Sequence, residues 1–270
     1  MWFQTDRIQL SSDISSASWV SEGLRPWSWD AEENYPSVAS FVPDVFESYA
    51  RILHPVRNRD SDGNELPFLS WESVAAKNGK KMHPLVQYEC IDGVERAPGA
   101  KNPWADNPRE GSLDAEHLPA LMKVLAEFTS VDEQCWFGLW EGWGGLSPGS
   151  ATYLGRNTEN RMSEGAEARE ALQAQYAAAP RVKTRGRAYL LFSGALNGAD
   201  AFVETRDDQS MSIWWSDSRA WCVATEIDFR STYVGGSKEC IAAILSDPTL
   251  ESLPVNPDDR VDLHSDKINC

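Results

Sequence analysis

The chain has 270 residues, of which 41% are hydrophobic and 24% charged, proportions that are ordinary for a globular protein. Its formal net charge of −16 argues against a general nucleic-acid binder, because neutralising phosphates requires clustered lysine and arginine. No window approaches about 18 apolar residues, so no membrane span is expected, and the N-terminus lacks the basic and apolar regions of a signal peptide.

The five cysteines are odd in number and scattered, without a C-x-x-C pair. This pattern is typical of buried thiols in a reducing compartment rather than of a disulfide framework, so we expect a cytoplasmic protein. The four histidines are far apart in sequence, and His83 with Cys90 does not by itself make a metal site. No metal and no cofactor are predicted.

In the first half of the chain, residues 2–10 alternate loosely and predict an opening strand. Pro43–Leu53 is predicted to be a helix, because its apolar residues have helical spacing and proline suits a first turn. A charged turn at Asp62 and Gly63 leads to a short helix, Trp71–Lys77, which the preceding serine can cap. The proline-rich region at 92–112 is the candidate exposed loop.

The second half contains the clearest helix, which begins between Asp114 and Pro119, ends at Phe128 and has a regular apolar stripe. Strands are predicted at 135–143, 187–192 and 201–204. Further helices are predicted at 163–179 and 238–245. Residues 256–270 are polar and are expected to form a frayed tail.

A hairpin is predicted between Ser212–Ser216 and Ala220–Phe229, because Asp and Ser favour the turn at 217–219 and the flanks are aromatic and β-branched. In the second strand, one face is almost entirely apolar and should lie in the core. The other face is small and then acidic, and it is either solvent-exposed or the floor of a cleft. Two glycines then predict a turn into the 238–245 helix, with Ser237 as its N-cap.

Candidate site residues cluster around this hairpin. Glu226 and Asp228 would lie about 7 Å apart on one strand, a spacing that suits acid–base chemistry or a cation site. The alternative is a pair of solvated acids at a strand end. Glu141, between Trp140 and Trp143, must reach solvent, pair with a cation or have a raised pKa.

Two other motifs receive less weight. Gly145–Gly149 matches G-x-S-x-G, but Pro148 and Gly149 follow the serine where a nucleophile elbow needs a helix, so Ser147 is not favoured as a nucleophile. The basic run RVKTRGR at 181–187 could receive an acidic partner or a phosphate. A solvated loop that offsets the acidic surface is the simpler interpretation.

Three blocks of the sequence, FVPDVFESYARILHP (41–55), CWFGLWEGWG (135–144) and WWSDSRAWCVATEIDFRSTYVGGS (214–237), resemble one uncharacterised family of soluble bacterial proteins. That resemblance implies no activity, cofactor or substrate, so it assigns no catalytic residue. The expected helix after Val42, followed by sheet, is also faintly similar to SUKH-type immunity proteins.

Together these patterns predict a single α+β domain over residues 1–255, with a mostly antiparallel sheet packed against a few helices, because runs of strands do not alternate with helices. The leading functional hypothesis is a non-catalytic ligand-binding or protein-interaction protein with a Trp-rich, acidic cleft. Its partner would be a small molecule or a protein, and neither nucleic acid nor membrane. The predicted ligand-binding residues are Trp140, Trp143, Trp214, Trp215, Arg219 and Tyr233.

The alternative hypothesis is a hydrolase that uses two of the carboxylates Glu141, Glu226 and Asp228. Glycosidases place such pairs about 5–9.5 Å apart beside a sugar held by aromatic rings. A third hypothesis is that the tryptophans are core residues and that the protein acts by binding a protein partner at its acidic surface. Since no complete catalytic constellation is present, the sequence favours binding over catalysis.

Overall fold

A computed structural model of the protein describes residues 7–28, 34–60, 62–94, 107–143, 166–203 and 209–270. The fold class is the predicted one: a single α+β domain whose mostly antiparallel sheet packs against helices. The helices are α1 Ser18–Gly23, α2 Trp71–Lys77, α3 Tyr88–Ile91, α4 Leu118–Ala126, α5 Ala166–Ala178 and α6 Lys238–Ser246. The strands are β1 Ile8–Leu10, β2 Ser48–Leu53, β3 Val56–Arg59, β4 Glu65–Leu69, β5 Cys135–Trp140, β6 Val182–Thr184, β7 Arg187–Gly194, β8 Ile213–Ser216, β9 Trp221–Ala224, β10 Ser231–Gly236 and β11 Ser252–Val255.

Nine of the described strands form one sheet in the order β1-β7-β5-β8-β9-β10-β2-β11, with β6 also paired to β7. All pairings in this sheet are antiparallel. Strands β8, β9 and β10 follow one another in sequence and are joined by short turns, which antiparallel neighbours allow without a crossover helix. Strands β3 and β4 form a separate hairpin.

Both faces of the central strands are buried. Trp214, Trp221 and Val223 point into a core covered by α4 and α6. Trp215 and Cys222, the intervening residues, point into a second core formed with the N-terminal segment. The expectation that one face of β9 is solvent or the floor of a cleft is therefore wrong. A smaller third core lies beneath α2 and α3.

Residues 43–53 do not form the predicted helix. The chain turns first, and Ser48–Leu53 becomes β2, with β10 on one edge and β11 on the other. The Tyr49 hydroxyl holds the turn, since it donates to the Pro43 carbonyl and accepts from the Phe46 amide. Apolar spacing in so short a run fits both periods, and pairing on both edges decides for the strand. The likeness to SUKH-type proteins loses the helix that carried it.

Three other boundaries differ from prediction. Residues 201–203 form a turn after a 3₁₀ helix, Leu196–Asp200, rather than a strand, and residue 204 lies outside the described residues. Strand β9 ends at Ala224, so the acidic residues that follow it leave the sheet. The expected glycine turn is instead strand β10. Position 235 of this strand requires glycine, because a side chain there would collide with the ring of Phe46.

The local helix signals are confirmed. The Ser70 hydroxyl caps α2 by accepting from the Ser73 amide, and the Ser237 hydroxyl caps α6 by accepting from the Cys240 amide. Helix α4 lies within the predicted apolar stripe. Helix α5 occupies most of the predicted 163–179 segment, and its expected cap, Ser163, lies outside the described residues.

Residues 256–270 are not a frayed tail. Asp266 is 2% exposed, and its carboxylate accepts from the Gln87 amide and from Nε2 of His83. Cys270 forms a disulfide with Cys90. The expectation of free thiols throughout is therefore wrong for this pair, because contacts distant in sequence bring the two cysteines together. Cys135, Cys222 and Cys240 are buried free thiols, as expected.

Candidate functional site

The predicted hairpin of β8 and β9 is present, and its tip is specified by local geometry. Arg219 has a left-handed backbone (φ 61°), and its amide donates to the Ser216 carbonyl at 2.8 Å. Its guanidinium lies 5.2 Å from the centre of the Trp19 ring. Arg219 is thus used in a contact with the N-terminal segment.

Trp214 and Trp215 are closed core residues on opposite faces of the sheet. Trp214 is 2% exposed and packs 5.2 Å from the Trp221 ring. Trp215 is 1% exposed and packs 6.1 Å from the Trp19 ring. The structure does not bring these two predicted ligand-binding residues to one surface, because neighbouring positions on a strand alternate in direction.

The aromatic pair at the end of β5 and in the turn that follows it is more open. Trp140 and Trp143 meet edge to face with ring centres 5.7 Å apart. Glu141 lies between them in sequence, and its carboxylate accepts from Nε of Arg181 at 2.8 Å. Two of the outcomes predicted for this acid are observed together: the carboxylate pairs with a cation, and the side chain, which is 45% exposed, reaches solvent.

Glu226 and Asp228 are brought together, but by an arginine rather than by a strand face. Nε of Arg187 donates to Glu226 at 2.8 Å, and Nη2 donates to both Glu226 and Asp228, the latter at 2.9 Å. The side chain of Glu226 is 2% exposed and that of Asp228 is 61% exposed. We call these three residues the Arg187 cluster. The Arg187 guanidinium also lies 5.9 Å from the centre of the Trp140 ring.

Burial raises the pKa of Glu226, although the hydrogen bonds and charge of Arg187 oppose the shift. The cavity beside this carboxylate has a volume of about 10 Å³ and is lined in part by Trp27, Ser212 and Thr225. Such a volume is about the minimum for one water molecule. The Arg187 cluster is therefore a tightly packed ion-pair site in which one cation is shared by two carboxylates.

The sequence contained a signal for this pairing. The basic run at 181–187 supplies Arg181 to Glu141 and Arg187 to Glu226 and Asp228. The acidic partner considered for this run thus lies, for these two arginines, within the same chain. The missing information was the pairing of β6 and β7, which places the ends of the run beside the acids.

A second cavity, about 250 Å³ in volume, lies on the other side of Asp228. We call it the Arg51 cavity. It is large enough for a small organic molecule, since liquid water occupies about 30 Å³ per molecule. Two predicted site residues, Asp228 and Tyr233, line it. The rest of its wall is formed by Arg51, Trp71, Gln87, Glu89, Phe229, Arg230, Ser231, Val261, Asp262 and Leu263.

Arg51 lies on β2, opposite Tyr233 of β10, and is 3% exposed. Its Nε donates to the Ser231 hydroxyl at 2.9 Å, and its Nη1 donates to the carbonyls of Val86 at 2.6 Å and Pro84 at 3.3 Å. Nη2 makes no hydrogen bond to the described residues.

The environment of the Arg51 charge is aromatic rather than acidic. The guanidinium carbon is 5.4 Å from the centre of the Trp71 ring and 6.0 Å from that of Tyr233. No carboxylate within the described ranges forms an ion pair with it. Arg51 is thus a buried cation held by carbonyls, a hydroxyl and two rings, with one face of its fork directed to no protein acceptor.

The other charged groups of the Arg51 cavity have partners. Arg230 pairs with Glu89 and, at 2.7 Å, with Glu110. Asp262 accepts twice from Arg260, with both distances at 2.5 Å. Asp228 belongs to the Arg187 cluster. This contrast singles out Arg51 among the cations that line the cavity.

Sequence reasoning missed Arg51 because it was assigned to a helix. In β2, Tyr49, Arg51 and Leu53 share one side of the strand, and Ala50 and Ile52 share the other. A single arginine within an otherwise apolar alternating run is the signal that could have identified it. Ser147 of the G-x-S-x-G motif lies outside the described residues, so the structure does not bear on it.

No protein-family model, curated protein or solved structure matches this chain. None of the helices in the described ranges has the length and apolar character needed to cross a membrane. Nor do the described side chains include a group of three or more His, Cys, Asp or Glu residues arranged to hold a metal ion. A function must therefore be inferred from Arg187, Arg51 and the cavities beside them.

Proposed function

We propose that this protein is a ligand-binding protein whose Arg51 cavity takes a small organic anion, with a ligand carboxylate bound by Arg51. The observation that carries the proposal is a buried guanidinium that lines a cavity and has no carboxylate partner among the described residues. The proposal keeps the binding hypothesis suggested by the sequence and moves the binding centre from the tryptophan hairpin to β2 and β10.

The first support for the proposal is the energetic cost of the buried Arg51 charge. An isolated buried charge is costly, and proteins usually pair such charges or hydrogen-bond them fully. The rings of Trp71 and Tyr233 stabilise the Arg51 cation in part, by about 0.5–2 kcal/mol for each favourable contact. An anion in the cavity completes the compensation. Because a guanidinium presents a planar fork, a carboxylate is well matched to it in geometry as well as charge.

The walls also support a small-molecule ligand. Trp71, Phe229 and Tyr233 line the cavity with the aliphatic residues Val261 and Leu263, and the wall also contains polar and charged residues. Ligand pockets typically combine an apolar lining with a few placed polar groups. A ligand with one carboxylate and a small apolar body would fit this arrangement.

The test is binding of simple carboxylates to the full chain. Acetate, pentanoate, benzoate and 3-phenylpropanoate are compared with chloride at equal ionic strength, by thermal shift and then calorimetry. A carboxylate at about 100 times its Kd should add about 2.7 kcal/mol of stability. Arg51→Lys keeps the charge but loses the fork, and it should weaken binding about tenfold.

A second, more conservative variant keeps the test usable if Arg51→Lys does not fold. Tyr233→Phe removes only a hydroxyl that makes no hydrogen bond to the described residues, and it should weaken a ligand that uses this hydroxyl by about 0.5–1.5 kcal/mol. Arg59→Gln, at an exposed arginine on β3 that pairs with Glu65, is the matched control and should bind like wild type. If no carboxylate stabilises the wild-type protein, the proposal fails.

The hydrolase hypothesis has less support. Glu226 and Asp228 are close together, and the raised pKa of Glu226 suits an acid catalyst. However, both carboxylates are engaged by Arg187, and the adjoining cavity of about 10 Å³ does not accommodate a sugar ring. Turnover of nitrophenyl glycosides that disappears in Glu226→Gln would restore this alternative.

Origin and location remain part of the proposal. The three resemblance blocks support a bacterial protein and add no activity. The scattered cysteines favour the cytoplasm, whereas the Cys90–Cys270 disulfide favours an oxidising compartment. Alkylation of free thiols in the native cell before extraction, followed by mass spectrometry, distinguishes them: an alkylated Cys270 supports the cytoplasm and an unmodified one opposes it.

A further inference from the structure

We infer that the ligand of the Arg51 cavity is a zwitterion, an amino-acid-like molecule whose carboxylate meets Arg51 and whose ammonium group meets Asp228. This inference rests on the proposed function, because it adds a second charge to the same ligand. It depends on three further observations: an uncompensated carboxylate on the cavity wall, the pairing of the neighbouring acids, and the aromatic residues in the same wall.

The uncompensated carboxylate is Asp228. Arg187 is bound by both Glu226 and Asp228, so three formal charges in the Arg187 cluster sum to one negative charge. Glu226 is buried and takes two of the hydrogen bonds from Arg187. Asp228 takes one, through Oδ2, and its side chain remains 61% exposed. The surplus charge is therefore available on the wall of the Arg51 cavity.

The electrostatics near Asp228 agree with a local excess of negative charge. Burial raises the pKa of Glu110, and the charge of Asp228 raises it further. Asp228 also adds to the rise in the pKa of Glu226, which burial dominates. An ammonium group at this position would relieve repulsion from neighbouring carboxylates as well as pair with Asp228.

Asp262, a second carboxylate on the wall, is a weaker candidate for the ammonium group. Its two oxygens both accept from Arg260, so its charge is already compensated. Glu89 is bound to Arg230, which lines the same cavity. Asp228 thus offers the best-supported contact for a ligand cation.

The charge of the whole chain favours a zwitterion over a simple anion. The formal net charge of −16 opposes the approach of an anionic ligand through solution. A ligand with no net charge avoids this opposition and still presents a carboxylate to Arg51. The wall of the cavity also includes Trp71, Phe229 and Tyr233, so the uncharged part of the ligand should be apolar.

The experiment uses matched sets of three probes that differ only in charge. One set is phenylalanine, 3-phenylpropanoate and 2-phenylethylamine. The other is 5-aminopentanoate, pentanoate and pentylamine, in which the charges are further apart. Binding of each probe to the full chain is measured by calorimetry at one ionic strength. In at least one set, the zwitterion should bind about three- to fivefold more tightly than the acid, as expected for one partly exposed ion pair.

Asp228→Asn locates the ammonium contact. This variant should reduce the advantage of the zwitterion over the acid to less than about twofold, while binding of the acid itself changes little or improves. Glu65→Gln removes the same charge at an exposed residue that pairs with Arg59 on the β3–β4 hairpin. It reports the long-range effect of net charge, and it should leave the advantage of the zwitterion intact.

The possible outcomes separate the two proposals. If the acid binds as tightly as the zwitterion in both sets, the zwitterion inference is overturned and the Arg51 proposal stands. If neither acid nor zwitterion binds, both fail. If the amine binds as tightly as the zwitterion, Arg51 does not recognise the ligand and again both fail. An advantage that Asp228→Asn leaves unchanged overturns the placement of the ammonium group.

Discussion

Arg187 and Arg51 are two arginines with little solvent exposure on strands of the same sheet, and they differ in what surrounds them. Arg187 binds two carboxylates, one of which is buried. Arg51 binds two carbonyls and a hydroxyl and lies between two aromatic rings. The space beside Arg187 measures about 10 Å³ and that beside Arg51 about 250 Å³.

The difference separates a structural charge from a candidate binding charge. Around Arg187, the cation is paired with two carboxylates of the same chain, and little space remains beside the buried one. Around Arg51, the chain supplies hydrogen bonds but no counter-charge among the described residues, and it leaves room for a molecule. Both a perturbed pKa and a buried charge attract attention in a site search, but only the second arrangement places a cation without a counter-charge among the described residues beside a cavity of about 250 Å³.

The largest expected effect comes from removing the disulfide that lies close to the Arg51 cavity. The Cys90–Cys270 disulfide connects residues 180 positions apart, beside segments that line the Arg51 cavity. Closing so long a loop stabilises the folded state by about 5 kcal/mol in the chain-entropy account. Reduction, or Cys270→Ser, should therefore lower the free energy of unfolding in urea by about that amount.

Hydrogen exchange should show that backbone amides lose protection first in residues 256–270 and later at the Arg187 cluster. Adding reductant to Cys270→Ser is the control and should have no further effect. An unchanged urea midpoint in protein whose thiols are shown to be reduced would contradict this expectation.

Removing Arg187 should have the next largest effect. Arg187→Met leaves the buried carboxylate of Glu226 without its cation, and unpaired buried charges cost about 3–5 kcal/mol. We expect a loss of about 3 kcal/mol in urea denaturation at pH 7. The double variant Arg187→Met with Glu226→Gln should be more stable than Arg187→Met alone, because it removes the stranded charge. A double variant that is less stable would show that the pair is not the main interaction.

His54 is another buried basic residue, and unlike Arg51 it can lose its proton. Its ring is fully buried, Nδ1 donates to the Arg109 carbonyl at 2.6 Å, and Nε2 accepts from the Thr232 hydroxyl at 2.9 Å. Burial lowers the pKa of His54 from 6.5 to about 4. The ring is therefore neutral in the fold, whereas a guanidinium stays charged.

Because the folded pKa of His54 is below the unfolded value, its contribution to stability is complete above about pH 6.5 and is lost as the pH falls toward 4. At pH 5 the loss relative to pH 8 should be about 2 kcal/mol. His54→Asn should lack this part of the pH profile, measured by urea denaturation. Parallel profiles for variant and wild type would contradict the assignment.

The smallest effect should come from Asp228→Asn. The side chain is 61% exposed and shares Arg187 with a buried carboxylate, so its pair contributes less than about 1 kcal/mol to folding. Thermal unfolding of the ligand-free variant should be close to that of wild type. A loss as large as that of Arg187→Met would make Asp228 a structural residue and weaken its role at the cavity.

Local signals in the sequence predicted a good part of the fold. Ser70 and Ser237 could be recognised as helix caps, and the turn at 217–219 as a hairpin, because these features depend on neighbours within a few residues. The apolar stripe of α4 is long enough to be unambiguous. The short run at 43–53 fits two periods, and only its pairing with β10 and β11 decided between them.

For the candidate site, the sequence by itself placed Glu226, Asp228 and Tyr233 close together along the chain, and it left open whether the tryptophans line a pocket or fill the core. Tertiary structure alone decided that Arg187 compensates the two acids, that Trp214 and Trp215 point into separate cores, and that Arg51 lines a cavity. The reason is physical: the direction of a side chain follows from local backbone geometry, whereas its counter-charge and free space depend on segments far away in the chain.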